Sequence, residues 1–149
     1  MPVTIKNIER PITGRCYCGA SRISASRSPL SVAYCHCVDC RRVTGAPVAV
    51  FAEFNESDVI FDPDEGSRIS VNPGVVRTFC SRCGSALSGR YDYLPGRVYI
   101  AIGLLDQADD YAPQVHAHDG ERIQWLCVDD KLKRYRASAR SWFGNEPAK

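Results

Sequence analysis

The sequence predicts a mainly β protein, and three features of the 149-residue chain support that fold class. Short apolar segments alternate with polar residues at the two-residue period of β-strands. Glycine, proline, asparagine and aspartate separate these segments at short intervals, as turns require. Long helical periodicity is nearly absent. Together these features favour a single-domain complex β-sandwich of short strands with little helix.

The first half of the chain contains five predicted strands and one short predicted helix. The strands are 12–16, 21–25, 30–34, 48–54 and 59–61. In the fourth of them, Val50, Ala52 and Phe54 would share one face, because alternate residues of a strand point the same way. Between the third and fourth strands, residues 38–44 form one or two helical turns that end at Gly45.

The second half contains six predicted strands. These are 68–71, 75–80, 87–91, 97–102, 115–117 and 123–127. An Asn-Pro-Gly turn precedes the predicted strand at 75–80. The predicted strands at 87–91 and 97–102 form a hairpin, in which Val98, Ile100 and Ile102 share one face. We see no linker or repeat, so the sequence predicts one domain over 1–149, with a core of about 12–135 and a C-terminal tail at 136–149.

Composition and charge exclude several classes of function. The net charge of +2 gives no strong field for nucleic acid or an anionic membrane, and no apolar run reaches the ~18 residues of a membrane-spanning helix. The N-terminal stretch lacks the apolar core of a signal peptide, so the sequence predicts a protein of the reducing cytoplasm. There the eight cysteines are expected to bind metal rather than form disulfides.

Four of the cysteines form two close pairs that suit a closed zinc site. Cys16 and Cys18 lie two residues apart at the end of a predicted strand and can point to the same side. Cys80 and Cys83 form a Cys-x-x-Cys turn followed by Gly84, which is free to adopt a positive φ. Structural zinc takes four tetrahedral ligands, so the sequence predicts zinc knuckles that share one ion. The alternative is four reduced thiols in the core.

Three further cysteines, Cys35, Cys37 and Cys40, lie within six residues of one another. Cys35 and Cys37 can share one side of a strand end, and Cys40 can return through the turn that follows, so all three thiols can reach one ion. Three protein ligands and an open position are the pattern of a catalytic zinc. A substrate thiol that entered the open position would be deprotonated by the metal and become a nucleophile.

The neighbours of this trio leave the fourth position open. In a regular strand His36 points away from the cysteines, so we predict that it flanks the site without binding the metal. Water, a substrate sulfur, His116, His118 or Cys127 can fill the vacancy. The last of these lies in an apolar run, which favours a buried and inert thiol. Arg41 flanks the trio on its other side and can bind a carboxylate or offset thiolate charge.

The cysteine motifs resemble those of a known protein family. The segments GRCYCGA, YCHCVDCRRVTGAP and FCSRCGS are similar to the three signatures of the glutathione-dependent formaldehyde-activating enzymes. The later segment YAPQVHAHDGERIQWLCVDDKLKRY is similar to the C-terminal pattern of that family, with Pro113, His116, Trp125 and Asp130 in corresponding places. The resemblance spans about Gly14 to Tyr135, and the family includes centromere protein V-like relatives.

The resemblance implies a mainly β fold, two zinc ions and a carbon–sulfur lyase activity that joins glutathione or another small thiol to formaldehyde. It also implies how the cysteines divide between the two ions. In the family pattern, the structural ion is bound by Cys16, Cys18, Cys80 and Cys83, and the catalytic ion is bound by Cys35, Cys37 and Cys40. In this reading His36 and Arg41 flank the catalytic centre and His116 binds substrate.

The sequence also allows two alternatives. One is a non-catalytic, zinc-stabilised binding module that contacts nucleic acid through the basic segment from Lys131 to Arg140. We favour a solvated surface for that segment, because basic runs are usually solvent-exposed. The other is a degenerate family member with one structural zinc ion and an empty second site. The sequence leaves homo-oligomerisation open and predicts no membrane association.

Overall fold

The computed structural model of this chain describes Ile5 and residues 10–144, with the backbone alone at Phe143. This part of the chain forms eleven strands in two sheets, one α-helix and five short 3₁₀ helices. The predicted mainly β class with little helix is therefore confirmed. Of the predicted tail at 136–149, residues 145–149 lie outside the described residues.

The elements follow one another in short segments. The strands are β1 Ile12–Arg15, β2 Arg22–Ala25, β3 Ser31–Cys35, β4 Ala49–Asn55, β5 Val59–Asp62, β6 Ser67–Ile69, β7 Val75–Phe79, β8 Ala86–Tyr91, β9 Arg97–Ala101, β10 Val115–Ala117 and β11 Lys133–Arg134. The helix is α1 Val38–Thr44, and the 3₁₀ helices are Glu56–Asp58, Ile102–Leu104, Ala108–Asp110, Asp119–Glu121 and Arg140–Phe143. The predicted helix at 38–44 is confirmed, and it ends at Gly45 in the left-handed conformation with φ of 68°.

The two sheets differ in size and in strand direction. The smaller has the order β1-β2-β5 and is wholly antiparallel. The larger has the order β11-β10-β3-β4-β9-β8-β7-β6. Its strands pair antiparallel from β3 to β6, whereas β10 runs parallel to both β3 and β11. The predicted hairpin of 87–91 with 97–102 is confirmed as the antiparallel pair of β8 and β9.

The hydrophobic core lies between the sheets, as a sandwich requires. The smaller sheet contributes Ile12, Ile23 and Ala25, and the larger contributes residues of β3, β4 and β9. In β4, Ala52 and Phe54 are fully buried and Val50 packs against the same cluster, which confirms their predicted shared face. In β9 and the turn after it, Val98, Ile100 and Ile102 join this core in the same way.

The prediction of a strand at 123–127 is wrong. The segment forms a turn around Gln124 and Trp125, and Trp125 is 69% exposed. The place beside β10 is taken by β11, so this apolar run has no neighbouring strand among the described residues. The guanidinium of Arg122 instead donates to the carbonyl oxygen of Leu126 at 2.7 Å and holds the turn.

The described part of the tail contacts the rest of the domain. Ala139 is buried, and the guanidinium of Arg140 lies 3.6 Å from the centre of the Tyr93 ring. The amide of His118 donates to the carbonyl oxygen of Ala137 at 2.8 Å. None of the helices in the described residues is long and apolar enough to cross a membrane.

Candidate metal centres and the adjoining pocket

The sulfur atoms of Cys16, Cys18, Cys80 and Cys83 all lie within 4.8 Å of one another. The sulfur of Cys18 is 3.6 Å from that of Cys16 and 3.8 Å from that of Cys80. Four sulfurs at about 2.3 Å from a tetrahedral zinc ion would be separated by about 3.8 Å. A disulfide requires about 2.05 Å, and all four cysteines are free. The group therefore suits one zinc ion.

The two halves of this four-cysteine group are built as matching turns. The amide of Cys16 donates to the carbonyl oxygen of Ser21 at 2.9 Å, and the amide of Cys80 donates to that of Ser85 at 2.9 Å. The Ser85 hydroxyl also accepts from the amide of Tyr17 at 3.0 Å, which joins one turn to the other. These backbone and hydroxyl hydrogen bonds hold the two cysteine pairs next to each other.

A glycine with positive φ ends each of these turns. Gly19 has φ of 80° and donates from its amide to the carbonyl oxygen of Cys16. Gly84 has φ of 79° and donates in the same way to Cys80. An L side chain is strained at such angles, so the predicted positive φ after the Cys-x-x-Cys turn is confirmed with its physical reason.

The second group contains Cys35, Cys37 and Cys40, whose sulfurs also lie within 4.8 Å of one another. Cys35 ends β3, Cys37 is the N-cap of α1, and Cys40 lies in the first turn of α1. The sulfur of Cys37 is 3.4 Å from that of Cys35 and accepts from the amide of Cys40 at 3.3 Å. Among the described residues, no fourth metal-ligating side chain joins this trio.

Hydrogen bonds among the three sulfurs favour a thiolate at one position of the trio. Hydrogen bonds from the sulfurs of Cys35 and Cys40 lower the pKa of Cys37 to about 2. The same contact with Cys37 raises the pKa of Cys35 well above its ordinary value. Thiolates are the form of cysteine that binds zinc, and Cys37 is the position at which the trio favours one.

A pocket of about 320 Å³ opens directly onto the trio. Beside the cysteines, the side chains with polar or aromatic groups that line it are Asp39, Asn72, Arg77, Tyr91, Tyr93, His118 and Glu121. The guanidinium of Arg77 lies 4.0 Å from the sulfur of Cys40 and 5.7 Å from the centre of the Tyr91 ring. The pocket therefore offers a cation, two phenols and an imidazole beside the sulfurs.

The parallel pairing of β10 with β3 brings His118 to this pocket. Ala117 lies opposite Cys35 in the register, and the amide of His36 donates to the carbonyl oxygen of Ala117 at 3.1 Å. The chain then turns at His118, which has φ of 55° although it is not glycine. Its Nδ1 lies 3.5 Å from a carboxylate oxygen of Glu121. Of the three distant side chains that could supply a fourth ligand, His118 lines the pocket of the trio, and His116 and Cys127 do not.

The other two histidines form a separate buried network behind the trio. His36 and His116 are fully buried, and their Nε2 and Nδ1 atoms are 2.8 Å apart. The Nε2 of His116 lies 2.9 Å from a carboxylate oxygen of Asp130, and the ring of Tyr34 stacks on His116 at 4.4 Å. Burial, and next the neighbouring imidazole of His116, lower the pKa of His36 to about 4.

This network accounts for the predicted orientation of His36. Its ring joins His116 and lies near Asp119 rather than joining the cysteine group. The carboxylate of Asp119 already accepts from the guanidinium of Arg134 at 2.9 Å, so a cation beside the two imidazoles would have to displace Arg134. We interpret the cluster as a hydrogen-bond network that supports the turn between Cys35 and Cys37.

Two other predicted residues lie away from the sulfurs. Arg41 points from α1 toward the 3₁₀ helix Asp119–Glu121, where its guanidinium donates to the carbonyl oxygen of Glu121 at 3.4 Å, and it does not line the pocket of the trio. Cys127 is exposed and belongs to neither cysteine group, so the prediction that it is a buried thiol is wrong. The apolar residues around it had suggested burial, but the turn at 123–127 carries it to the surface.

Sequence reasoning missed several pocket residues. Arg77 lies within β7, Tyr91 ends β8 and Tyr93 follows in the next turn. Nothing in their local sequence links them to the trio, because β7 and β8 reach it only through the order of the larger sheet. The one available signal was a charged arginine in the middle of a strand with three apolar residues.

Comparison with known proteins agrees with this geometry. The sequence profile of the glutathione-dependent formaldehyde-activating enzymes matches residues 11–120, which include both cysteine groups. The chain belongs to this family. No curated protein matches the chain. A crystal structure of a Rhodobacter sphaeroides protein is similar in fold, with a TM-score of 0.53 and 17% sequence identity over 83% of this chain and 99% of that one.

Proposed function

We propose that the protein is a zinc-dependent carbon–sulfur lyase of the family type, acting on glutathione or another small thiol and its aldehyde adduct. One observation carries this proposal. The four-cysteine group is a closed ligand set, whereas the three-cysteine group faces a pocket and has no fourth metal-ligating side chain among the described residues. Closed sets are typical of structural zinc, and sets with an open position are typical of catalytic zinc.

The reaction needs a thiolate next to a carbonyl carbon. In the direction of synthesis the thiol loses its proton, its sulfur adds to the carbonyl carbon, and the carbonyl oxygen gains a proton. Cys35, Cys37 and Cys40 would hold a zinc ion, and such an ion would supply the lowered thiol pKa that makes a thiolate available at neutral pH. The pocket beside the sulfurs is where the substrate thiol and the aldehyde would meet.

The polar residues of the pocket would bind the substrate and move its proton. His118 is the imidazole that lines the pocket, and the carboxylate of Glu121 lies 3.5 Å from its Nδ1. A general acid–base group must lie within reach of the reacting atoms, and His118 is best placed among the histidines to take and return the proton. Arg77 would bind an anionic group of the thiol close to Cys40.

His36, His116 and Arg41 would act on the site indirectly, by positioning other residues. His36 and His116 hold the backbone between Cys35 and Cys37, because their rings connect that turn to Asp130. Arg41 holds the turn that carries His118, through the carbonyl oxygen of Glu121. We therefore propose positioning roles for all three, including His116, for which the sequence suggested substrate contact.

A binding module for nucleic acid has weaker support. In the basic segment from Lys131 to Arg140, the guanidinium of Arg134 is paired with Asp119 and Asp130. Arg140 stacks on Tyr93. These two cations are already used within the domain, which leaves fewer for phosphate contacts. A reducing cytoplasm remains our proposed location, because free thiolates survive there.

Exchange spectroscopy by NMR tests the proposal. The rate at which formaldehyde exchanges between free glutathione and its adduct is measured with and without the zinc-loaded protein. We expect the wild type to raise this rate above the spontaneous one. The Cys37→Ser variant should return the rate to the spontaneous value, because it removes one of three metal ligands.

The Cys127→Ser variant is the matched control. Cys127 is a free cysteine outside both groups, so its loss should leave the exchange rate at the wild-type value. A wild-type protein that leaves the spontaneous rate unchanged would contradict the proposed reaction. Equal losses in the two variants would show that the trio has no special part in it.

A further inference from the structure

A second cavity of about 450 Å³ lies next to the pocket of the trio. We call it the apolar groove, and its aliphatic and aromatic lining consists of Val43, Ile69, Val71, Val75, Phe79 and Ala86. These side chains come from α1, from β6 to β8 and from the turn before β7. The groove has the apolar character and size of a small-molecule site.

The apolar groove is continuous with the pocket of the trio. Asp39, Asn72, Val75 and Arg77 line both cavities. The guanidinium of Arg77, at this junction, lies 4.0 Å from the sulfur of Cys40. A ligand with its sulfur at the trio can therefore extend past Arg77 into the apolar groove.

The groove exposes apolar side chains that a fold without a ligand would tend to cover. Val43 is 43% exposed, Ile69 is 49% exposed and Val71 is 83% exposed. Single exposed apolar residues are normal, but several around one cavity mark a binding site. Covering them with an apolar ligand removes this surface from water and stabilises the complex.

The chemistry of the two cavities indicates which part of a substrate each one takes. The charged side chains of the groove are Arg42, Arg77 and Asp39, and the last two lie at its junction with the pocket of the trio. Glutathione is polar along its whole length and gains little from an apolar surface. The apolar groove therefore suits the other half of the adduct, the part that comes from the aldehyde.

We propose that the apolar groove binds the carbon chain of the aldehyde, so that the substrates are aldehydes with apolar side chains rather than formaldehyde alone. This inference rests on the proposed function for the reaction itself. The thiolate sulfur adds to the carbonyl carbon, the carbonyl oxygen takes the proton that the thiol gave up, and no oxidant or reductant is needed. The carbon chain of the resulting hemithioacetal lies in the groove.

Methyl NMR on the zinc-loaded protein tests this directly. The methyl signals of Val43, Val71 and Val75 are followed while a mixture of glutathione and hexanal is added, and again with a mixture of glutathione and formaldehyde. We expect saturable shifts of these signals with the hexanal adduct and much smaller shifts with the formaldehyde adduct. The same samples give the exchange rates of both adducts.

Two isoleucines on edge strands provide a variant and its matched control. Ile69 lies on β6 in the groove, and Ile60 lies on β5 of the smaller sheet, outside it. Ile69→Gln should raise the hexanal-adduct concentration at half-maximal shift by about threefold or more, because it removes apolar contact. Ile60→Gln should leave that concentration at the wild-type value.

Each outcome bears on the proposal. Shifts of the groove methyl signals with the hexanal adduct support it if they weaken in Ile69→Gln and not in Ile60→Gln. If the exchange rate in the same samples is not raised, the proposed reaction is rejected, while the groove remains a site for apolar ligands. Equal shifts with both adducts, or equal effects of the two isoleucine variants, would overturn the groove assignment. Groove signals that shift with protein concentration alone would also overturn it, because a second copy of the chain would then cover this surface.

Discussion

At the scale of single residues, Asp130 connects the buried histidine pair to the surface. Burial acts to raise the pKa of Asp130, but hydrogen bonds from His116 and from the amide of Leu132 outweigh it and hold that pKa below its ordinary value. The charged carboxylate is therefore favoured by folding, and it fixes the His116 ring that in turn meets His36. A short network of this kind can position the Cys35–Cys37 turn without touching substrate.

We predict that Asp130→Asn lowers the free energy of unfolding at pH 7 by about 1 kcal/mol, since it weakens a charge-assisted hydrogen bond. The folded pKa of Asp130 is below the unfolded one, so its contribution is complete above a pH of about 4 and declines as pH falls further. The difference between wild type and variant should therefore shrink at pH 3. Urea unfolding at the two pH values measures it.

Asp129→Asn is the control for this prediction. Asp129 is the exposed neighbour of Asp130, so its loss should change the unfolding free energy little at either pH. A difference between wild type and Asp130→Asn that grew as the pH fell would contradict the assigned direction of the pKa shift.

At the scale of elements, the cysteines are placed by the ends of strands and by tight turns. Cys16 follows β1, Cys35 ends β3 and Cys80 follows β7. Each of the three local cysteine clusters is completed within a few residues, by the turn at Gly19, by the first turn of α1 or by the turn at Gly84. Short local segments therefore set most of the geometry of both metal centres.

We predict that Gly84→Ala destabilises the zinc-loaded protein by about 1–2 kcal/mol, because an L residue is strained at φ of 79°. A Cβ at Gly84 would meet no atom within 4 Å, so the whole loss would come from the backbone. Gly103→Ala is the control, since Gly103 has equal space and no positive φ. Urea unfolding of both variants measures the effect. Equal losses would show that backbone strain is not the cause.

The elements also show how far the sequence predicts the structure. The cysteine turns, α1 and the hairpin of β8 and β9 were predictable, because each depends on residues close together in the chain. The parallel pairing of β10 with β3 was not, since it joins residues more than 80 positions apart. The pairing brings His118 beside the trio. The place of Arg77 and Tyr91 beside the trio also depends on the order of distant strands, so their local sequence did not link them to it.

At the scale of the whole molecule, the two cysteine groups occupy different structural places. The four-cysteine group joins the end of β1, in the smaller sheet, to the turn between β7 and β8, in the larger sheet. The trio joins only β3 to the helix that follows it. Metal binding can add to the free energy of unfolding where it connects distant segments. An ion at the four-cysteine group should therefore support the fold, whereas an ion at the trio should be separable from it.

The zinc content of the purified protein tests this division most directly. We predict two zinc ions per chain in the wild type and in Cys127→Ser, and one ion in Cys37→Ser with an unchanged circular dichroism spectrum. Loss of both ions in Cys37→Ser, or a single ion in the wild type, would contradict the account of one closed structural centre and one separable open centre.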